Sequence, residues 1–135
     1  MIYFTEGFEE TVALAEDISK NFVGGEVVLL GGELGAGKTV FAKGVAKGLG
    51  IKQEVTSPTF AIHNVYDGRL KLNHFDFYRL DETEAEVLGL DEFFGNTDSV
   101  CVVEWWENIK GLLPKDTVKV YIEKIDENKR KIVVE

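Results

Sequence analysis

This chain of 135 residues is short of several things, and each scarcity removes a class of function. Its single cysteine, Cys101, rules out an internal disulfide; it lies in the apolar run 100–103 and reads as a small buried hydrophobe rather than a redox or metal group. Arginine occurs only at 69, 79 and 130, few for a phosphoryl-transfer lid that must surround migrating charge. The two histidines, His63 and His74, have no Cys or His companions at ligand spacing, so both are expected to be structural. No run approaches the roughly 20 apolar residues that span a bilayer, and no basic-plus-apolar leader opens the chain. A cytoplasmic protein without membrane association is expected. Positive charge is also scarce: 15 basic against 24 acidic residues leave a net charge of −9, so the surface repels polyanions and autonomous nucleic-acid binding is not expected. With no linker, repeat or low-complexity tract, residues 1–135 read as one domain.

Glycine, by contrast, is plentiful, and it is concentrated where it carries chemistry. Residues 26–50, EVVLLGGELGAGKTVFAKGVAKGLG, spell an apolar strand, a glycine-rich loop and an amphipathic helix in succession. Gly32, Gly37, Lys38 and Thr39 fit G-x-x-x-x-G-K-[ST], the phosphate-cradling loop. Gly35 and Gly37 allow backbone N–H groups to turn inward around an anion, and the helix that follows points its positive end there. Lys38 supplies a charge for the terminal phosphates, and the Thr39 hydroxyl is placed to ligate Mg²⁺. Phe41, Val45 and Leu49 recur at helical spacing, with Gly50 where a helix stop belongs.

Around this unit, residues 1–4 read as a strand, followed by a helix whose buried face is expected to carry Phe8, Val12, Ala15, Ile18 and Phe22. Thr11 falls off that face, exposed or bordering a nucleotide. In 54–60, EVTSPTF, the hydroxyls Thr56, Ser57 and Thr59 make either a turn or a γ-phosphate-sensing loop. Segments 60–66 and 70–78 flank Asp67-Gly68-Arg69 and predict an antiparallel hairpin insertion with positive φ at its turn. The hairpin's second arm carries Asp76, hydrogen-bonded structurally or presented to Mg²⁺ and water. Asp81 and Glu84 predict a capping box, and Val87, Leu88, Leu90, Phe93 and Phe94 an apolar side for the short helices beyond. The run 99–104, SVCVVE, predicts a second buried parallel strand delivering Glu104 to the phosphate site as a metal-binding acid. Residues 118–125 and 131–134 predict a closing hairpin, and the 129–131 basic cluster reads as a solvated turn or a reach toward nucleotide or partner.

GGELGAGKT, TSPTF, HFDFYRL and VEWWEN, in this order and separation, resemble the TsaE family (formerly YjeE) of P-loop ATPases of bacterial tRNA threonylcarbamoyladenosine synthesis. The resemblance runs nearly end to end. It implies an α/β, single-domain P-loop NTPase fold: a mixed, mainly parallel sheet flanked by helices, with antiparallel hairpin insertions. It implies Mg²⁺-dependent ATP hydrolysis in support of TsaD and TsaB, with tRNA met indirectly through that complex. By matching positions, Gly35, Ala36, Gly37, Lys38, Thr39 and Val40 would wrap the phosphates, and Thr39 with Glu104 would hold Mg²⁺. Asp76 would be the second essential acid, positioning water or metal. Thr59 would be the switch-loop residue, Trp105 would sit beside the nucleotide, and Thr11 and Arg130 would contact its adenine side. The chain departs from the family at Val40, commonly a threonine, and at Trp106, commonly a proline. Two other classes stay open: a small-molecule kinase, disfavoured by the arginine count, and a nucleotide-gated binding module. A GTPase is disfavoured because no Asn-Lys-x-Asp guanine reader is present.

Overall fold

A computed structural model describes residues 1–33, 35–56, 58 and 62–135. The described elements run β1 (Ile2–Glu6), α1 (Gly7–Ser19), β2 (Val27–Gly32), α2 (Lys38–Gly48), β3 (His63–Tyr66), β4 (Lys71–Asp76), α3 (Glu82–Val87), β5 (Ser99–Glu104), β6 (Val118–Lys124) and β7 (Lys129–Val134). Two 3-10 turns, Leu90–Phe93 and Trp106–Leu112, flank β5 in the chain. The strands form one mixed sheet in the order β1-β7-β6-β2-β5-β4-β3. Its centre, β6-β2-β5-β4, is parallel, while the β1-β7, β7-β6 and β4-β3 pairs are antiparallel.

The central strands are continuous apolar runs because both of their faces are covered. In β2, Val28 and Leu30 face a core under α1 and α2, whereas Val27 and Leu29 face a second core with Phe75, Phe77 and Val103. These four β2 side chains are buried, each contributing roughly 1.5–3 kcal/mol, so the strand leading into the glycine loop is firmly anchored.

α2 buries the expected face of Phe41, Ala42, Val45 and Ala46, and Gly50 takes a left-handed φ of 74° just past its end. The α1 face follows expectation at Ala15, at Ile18, which packs on the core, and at Phe22 just beyond the helix, and departs from it at Phe8 and Thr11. Its buried stripe is Thr11, Ala15 and Ser19, while Phe8 is 67% exposed. The reason is the partner helix: a Cβ on Gly44 would lie 2.5 Å from both the Ala15 Cβ and the Val12 carbonyl oxygen, so small residues face each other across a close α1–α2 crossing that bulky ones would block.

The expected hairpin forms, with β3 antiparallel to β4 from His63↔Phe75 to Tyr66↔Leu72, but its second arm is part of the main sheet. β4 is an inner strand parallel to β5, and only β3 is the antiparallel addition. Gly68 lacks a positive φ; it is small because a Cβ there would collide with Leu49 and Ile51. The Asp81–Glu84 capping box forms as expected, with Glu84 N–H donating to Asp81 Oδ1 at 2.9 Å. Val87 and Leu88, expected on an apolar inner side, are 80% and 59% exposed, and only Leu90, Phe93 and Phe94 of that group pack onto the core. No described helix is long and apolar enough to cross a membrane.

Candidate functional site: the P-loop and its two flanks

The site forms where the parallel strands β2, β5 and β4 end side by side. In open α/β sheets ligands bind outside these carboxyl ends. β2 runs through Gly31 and Gly32 into the loop, and α2 starts at Lys38 immediately after it. Gly35 and Gly37 have φ of 80° and 115°, conformations a side chain would strain, and among the described residues nothing lies within 4 Å of the space where their Cβ atoms would sit. The loop backbone is thus open to a close-approaching anion. Ala36 is buried beneath it, and Lys38, Thr39 and Val40 are half-buried on the first turn of α2.

On one flank the strand register brings two carboxylates together. Asp76 pairs with Glu104, and Glu104 with Leu30. Glu104 is 5% exposed, and its Oε2 accepts a hydrogen bond from His74 Nε2 at 2.7 Å. The His74 ring is fully buried and its Nδ1 has no partner among the described residues. The Nε2 N–H satisfies the Glu104 carboxylate and orients it. Asp76 Oδ1 accepts the Tyr78 N–H at 2.9 Å. Burial pushes the Asp76 carboxyl above the ordinary carboxylate range; the Tyr78 N–H opposes this, Glu104 reinforces it, and Lys38 works against it. Asp76, Glu104 and Lys38 are therefore electrostatically coupled across one small space.

Trp105 closes this flank. It sits at φ 57° and ψ 38°, the left-handed region that a bulky residue rarely adopts, and among the described residues it is the only non-glycine with positive φ. Its half-exposed ring lies 5.5 Å from Lys38 Nζ and 4.8 Å from the Tyr78 ring. Trp106 turns the other way and packs on the second core, with Lys119 Nζ 5.6 Å from its ring.

No group of three or more His, Cys, Asp or Glu side chains suited to a metal exists among the described residues. The donors at this flank are two carboxylates and a threonine hydroxyl, all oxygen. This set fits Mg²⁺, which is held by one or two carboxylates completed by substrate phosphates rather than by a closed protein cage.

The opposite flank is built from α1, the β6–β7 turn and the loop itself. Thr11 and Arg130, far apart in the sequence, both line a pocket of ≈ 50 Å³ beside Gly37 and Val40. Neither is exposed as a solvated residue: Thr11 is 2% and Arg130 7% exposed. The Thr11 and Thr5 hydroxyls bond to each other at 2.8 Å. Arg130 Nε donates to the Ala36 carbonyl at 2.8 Å, and its Nη1 donates to the Asp126 carbonyl at 2.8 Å. A guanidinium thus ties the underside of the glycine loop to the hairpin turn.

Thr59, the expected switch residue, lies outside the described residues. His74 is the functional side chain that spacing rules passed over. The available signal was strand period: in HFDF, His74 and Asp76 are two apart and share one face of β4. Arg69, a second of the three arginines, caps two helices by donating to the carbonyls of Phe22, Ser19, Lys20 and Gly48.

Comparison with known proteins agrees with this geometry. Residues 5–132 match the family described as Threonylcarbamoyl adenosine biosynthesis protein TsaE. The tRNA threonylcarbamoyladenosine biosynthesis protein TsaE of Bacillus subtilis is 46% identical over 125 residues, covering 92% of this chain and 78% of that protein. Its namesake from Treponema pallidum is 47% identical over 111 residues, 82% of each chain, and the one from Aquifex aeolicus is 42% identical over 130 residues, 94% of this chain and 90% of that one. The crystal structure of Bacillus subtilis YdiB superposes with a TM-score of 0.83 at 39% identity, covering 98% of this chain and 82% of that one. With a P-loop nucleotide-binding fold and family similarity over almost its whole length, this chain belongs to the TsaE family.

Proposed function

We propose that this protein binds ATP with Mg²⁺ at its P-loop and hydrolyses it in support of threonylcarbamoyladenosine modification of tRNA, with TsaD and TsaB as its partners. The observation that carries the hydrolytic part is the in-register pair Asp76 and Glu104, set at the strand ends beside Lys38. In this reading the backbone from Gly35 to Val40 holds the phosphate chain, and Lys38 exchanges its contact with Trp105 for the β/γ end. Glu104, oriented by His74, and the Thr39 hydroxyl would hold Mg²⁺, which when bound supplies neutralisation of phosphate charge. Asp76 accepts a hydrogen bond from the attacking water and turns it toward the γ-phosphate. The partner dependence rests on family membership and on the acidic surface, which by itself repels RNA.

The kinase alternative is weakened by the use of the arginines. Arg69 and Arg130 are committed to backbone carbonyls, which leaves Arg79 alone for a migrating phosphoryl group. The test is steady-state ATPase activity of the chain alone and with TsaD and TsaB, together with the modified adenosine content of tRNA after depletion. The expected result is stimulation by the partner pair and loss of the modification. No stimulation and unchanged tRNA would remove the proposal.

A further inference from the structure

Away from the nucleotide site, two surfaces of the molecule carry opposite charge around bare apolar groups. Along the C-terminal half of α2 a groove of ≈ 580 Å³ has a floor of Ala46, Ile51 and Val55 and a rim of Lys43, Lys47 and Lys52, with Glu54 as the one acid lining it. Lys43 and Lys47 stand one turn apart, i and i+4, on the same side of α2. All three lysines are exposed, and none makes an ion pair among the described residues. A chain with 15 basic against 24 acidic residues has thus gathered uncommitted cations around one apolar trough. Its complement is α3 and the turn after it. Residues 81–92 hold six acids and no lysine or arginine. Glu82, Glu84 and Glu86 are exposed, and beside them Val87 and Leu88 leave 80% and 59% of their surface in water. Glu84, Val87 and Leu88 follow i, i+3, i+4 spacing and so lie side by side.

We infer that the α2 groove receives α3 of a second copy of this chain, with Val87 and Leu88 entering the trough and the α3 glutamates meeting Lys43, Lys47 and Lys52. Charge selects this occupant: the same chain supplies, in one segment, the adjacent apolar side chains and the carboxylates that the groove lacks, whereas groove against groove and α3 against α3 set like charges together. The two surfaces cannot meet within one molecule. Ala46, Ile51 and Val55 belong to the core on one face of the sheet and Ala85 of α3 to the core on the other. The contact is therefore heterologous. Each copy has one helix to give and one groove to fill, so association runs head to tail instead of closing as a two-fold dimer.

Sedimentation velocity on the full chain, from about 10 μM to 1 mM, tests this over the range of weak association. The wild type is expected to pass from monomer through dimer to longer species as concentration rises, and to associate at least about tenfold more weakly in ~1 M salt, where screening acts within about 3 Å. Lys43→Glu/Lys47→Glu removes the groove and keeps the helix; Glu86→Lys/Val87→Ser removes the helix surface and keeps the groove. Each variant alone is expected to stay monomeric with the wild-type thermal melt, because all four side chains are exposed. Mixed in equal amounts, the two are expected to form one-to-one dimers and nothing longer, since one intact helix then meets one intact groove. Lys43→Gln/Lys47→Gln and Leu88→Ser, which reverse no charge, are expected to give the same pattern should either first variant melt early. A wild type monomeric throughout overturns the proposal, as do association indifferent to salt, a closed dimer that persists in both variants, and a mixture that stays monomeric. A chain monomeric alone whose Lys43→Glu/Lys47→Glu variant loses binding to TsaD and TsaB gives the groove to a partner protein and likewise overturns self-docking.

Discussion

The two flanks of the P-loop are built on opposite terms. On the Glu104 flank, charged groups converge with few bonds to hold them: among the described residues Lys38 meets the face of Trp105 and no hydrogen-bond acceptor, Asp76 is raised by burial, and Trp105 occupies a strained backbone region. On the Arg130 flank, polar groups are bound to the protein itself and are almost fully buried. The contrast separates groups kept available for a ligand, at a cost in stability, from groups spent on holding the loop in shape. Substitutions should therefore move function and stability in different proportions on the two sides.

The largest effect is expected from Lys38→Ala. Removing a charge that meets phosphate in a water-poor site lowers ATP and tripolyphosphate affinity on the order of 100-fold or more, equivalent to roughly 3 kcal/mol. The melting temperature without ligand should change little, because the ammonium is bonded to no described acceptor. Titration calorimetry beside a thermal melt checks both halves. A large loss of intrinsic stability with affinity retained would place Lys38 with the structural flank.

Asp76→Asn comes next and has the more specific signature. Turnover should fall about 100-fold, the scale of removing a group that orients the attacking water. Stability should rise at neutral pH. Because burial raises the Asp76 pKa in the folded chain, the charged form is less favourable folded than unfolded. That penalty is absent below the ordinary carboxylate range near ~4, builds as pH rises, and is complete above the raised folded value. Asparagine never carries it and can still accept from the Tyr78 N–H. The gain over wild type, read from denaturant melts, should thus appear near neutrality and vanish in acid. A variant less stable than wild type at neutral pH would contradict the strain assigned to this flank.

How much of this was legible beforehand follows from how local each interaction is. The glycine loop, the α2 face, the buried strand ending in Glu104 and the Asp81–Glu84 capping box are set by residues a few positions apart, so pattern alone located them. On α1, periodicity locates Ala15 and Ile18 but wrongly favours Phe8, because the tightest constraint is Gly44 of another helix approaching too closely for anything bulkier than Ala15. The His74–Glu104 bond spans 30 positions and the Arg130–Ala36 bond 94, and no local pattern encodes either. That β4 is half of a local hairpin is legible from the Asp67-Gly68 turn, whereas its parallel pairing with β5 is not, because β5 lies beyond α3 in the chain.

Arg130→Ala tests the committed flank where the expected effect is moderate. It leaves the Ala36 and Asp126 carbonyls without their donor and removes a buried stem, costing about 2–4 kcal/mol of stability. Nucleotide affinity should fall too, but tripolyphosphate should weaken alongside ADP, because the defect is in the loop and not at the base. Loss confined to ADP would make Arg130 a base contact.

The smallest and sharpest test is Thr11→Val. It preserves shape and deletes one hydroxyl, leaving the buried Thr5 hydroxyl without its 2.8 Å partner, at a cost of about 1–2 kcal/mol. Because replacing both partners by apolar isosteres is nearly neutral, the Thr5→Val/Thr11→Val double variant should regain most of that stability, and the cycle should yield a coupling energy of similar size. ADP affinity should remain within about twofold of wild type in all three variants, a difference below roughly 0.4 kcal/mol. If Thr11→Val instead costs tenfold in ADP affinity with the melt unchanged, the hydroxyl belongs to the ligand and not to Thr5. The two flanks would then no longer divide into available and committed groups.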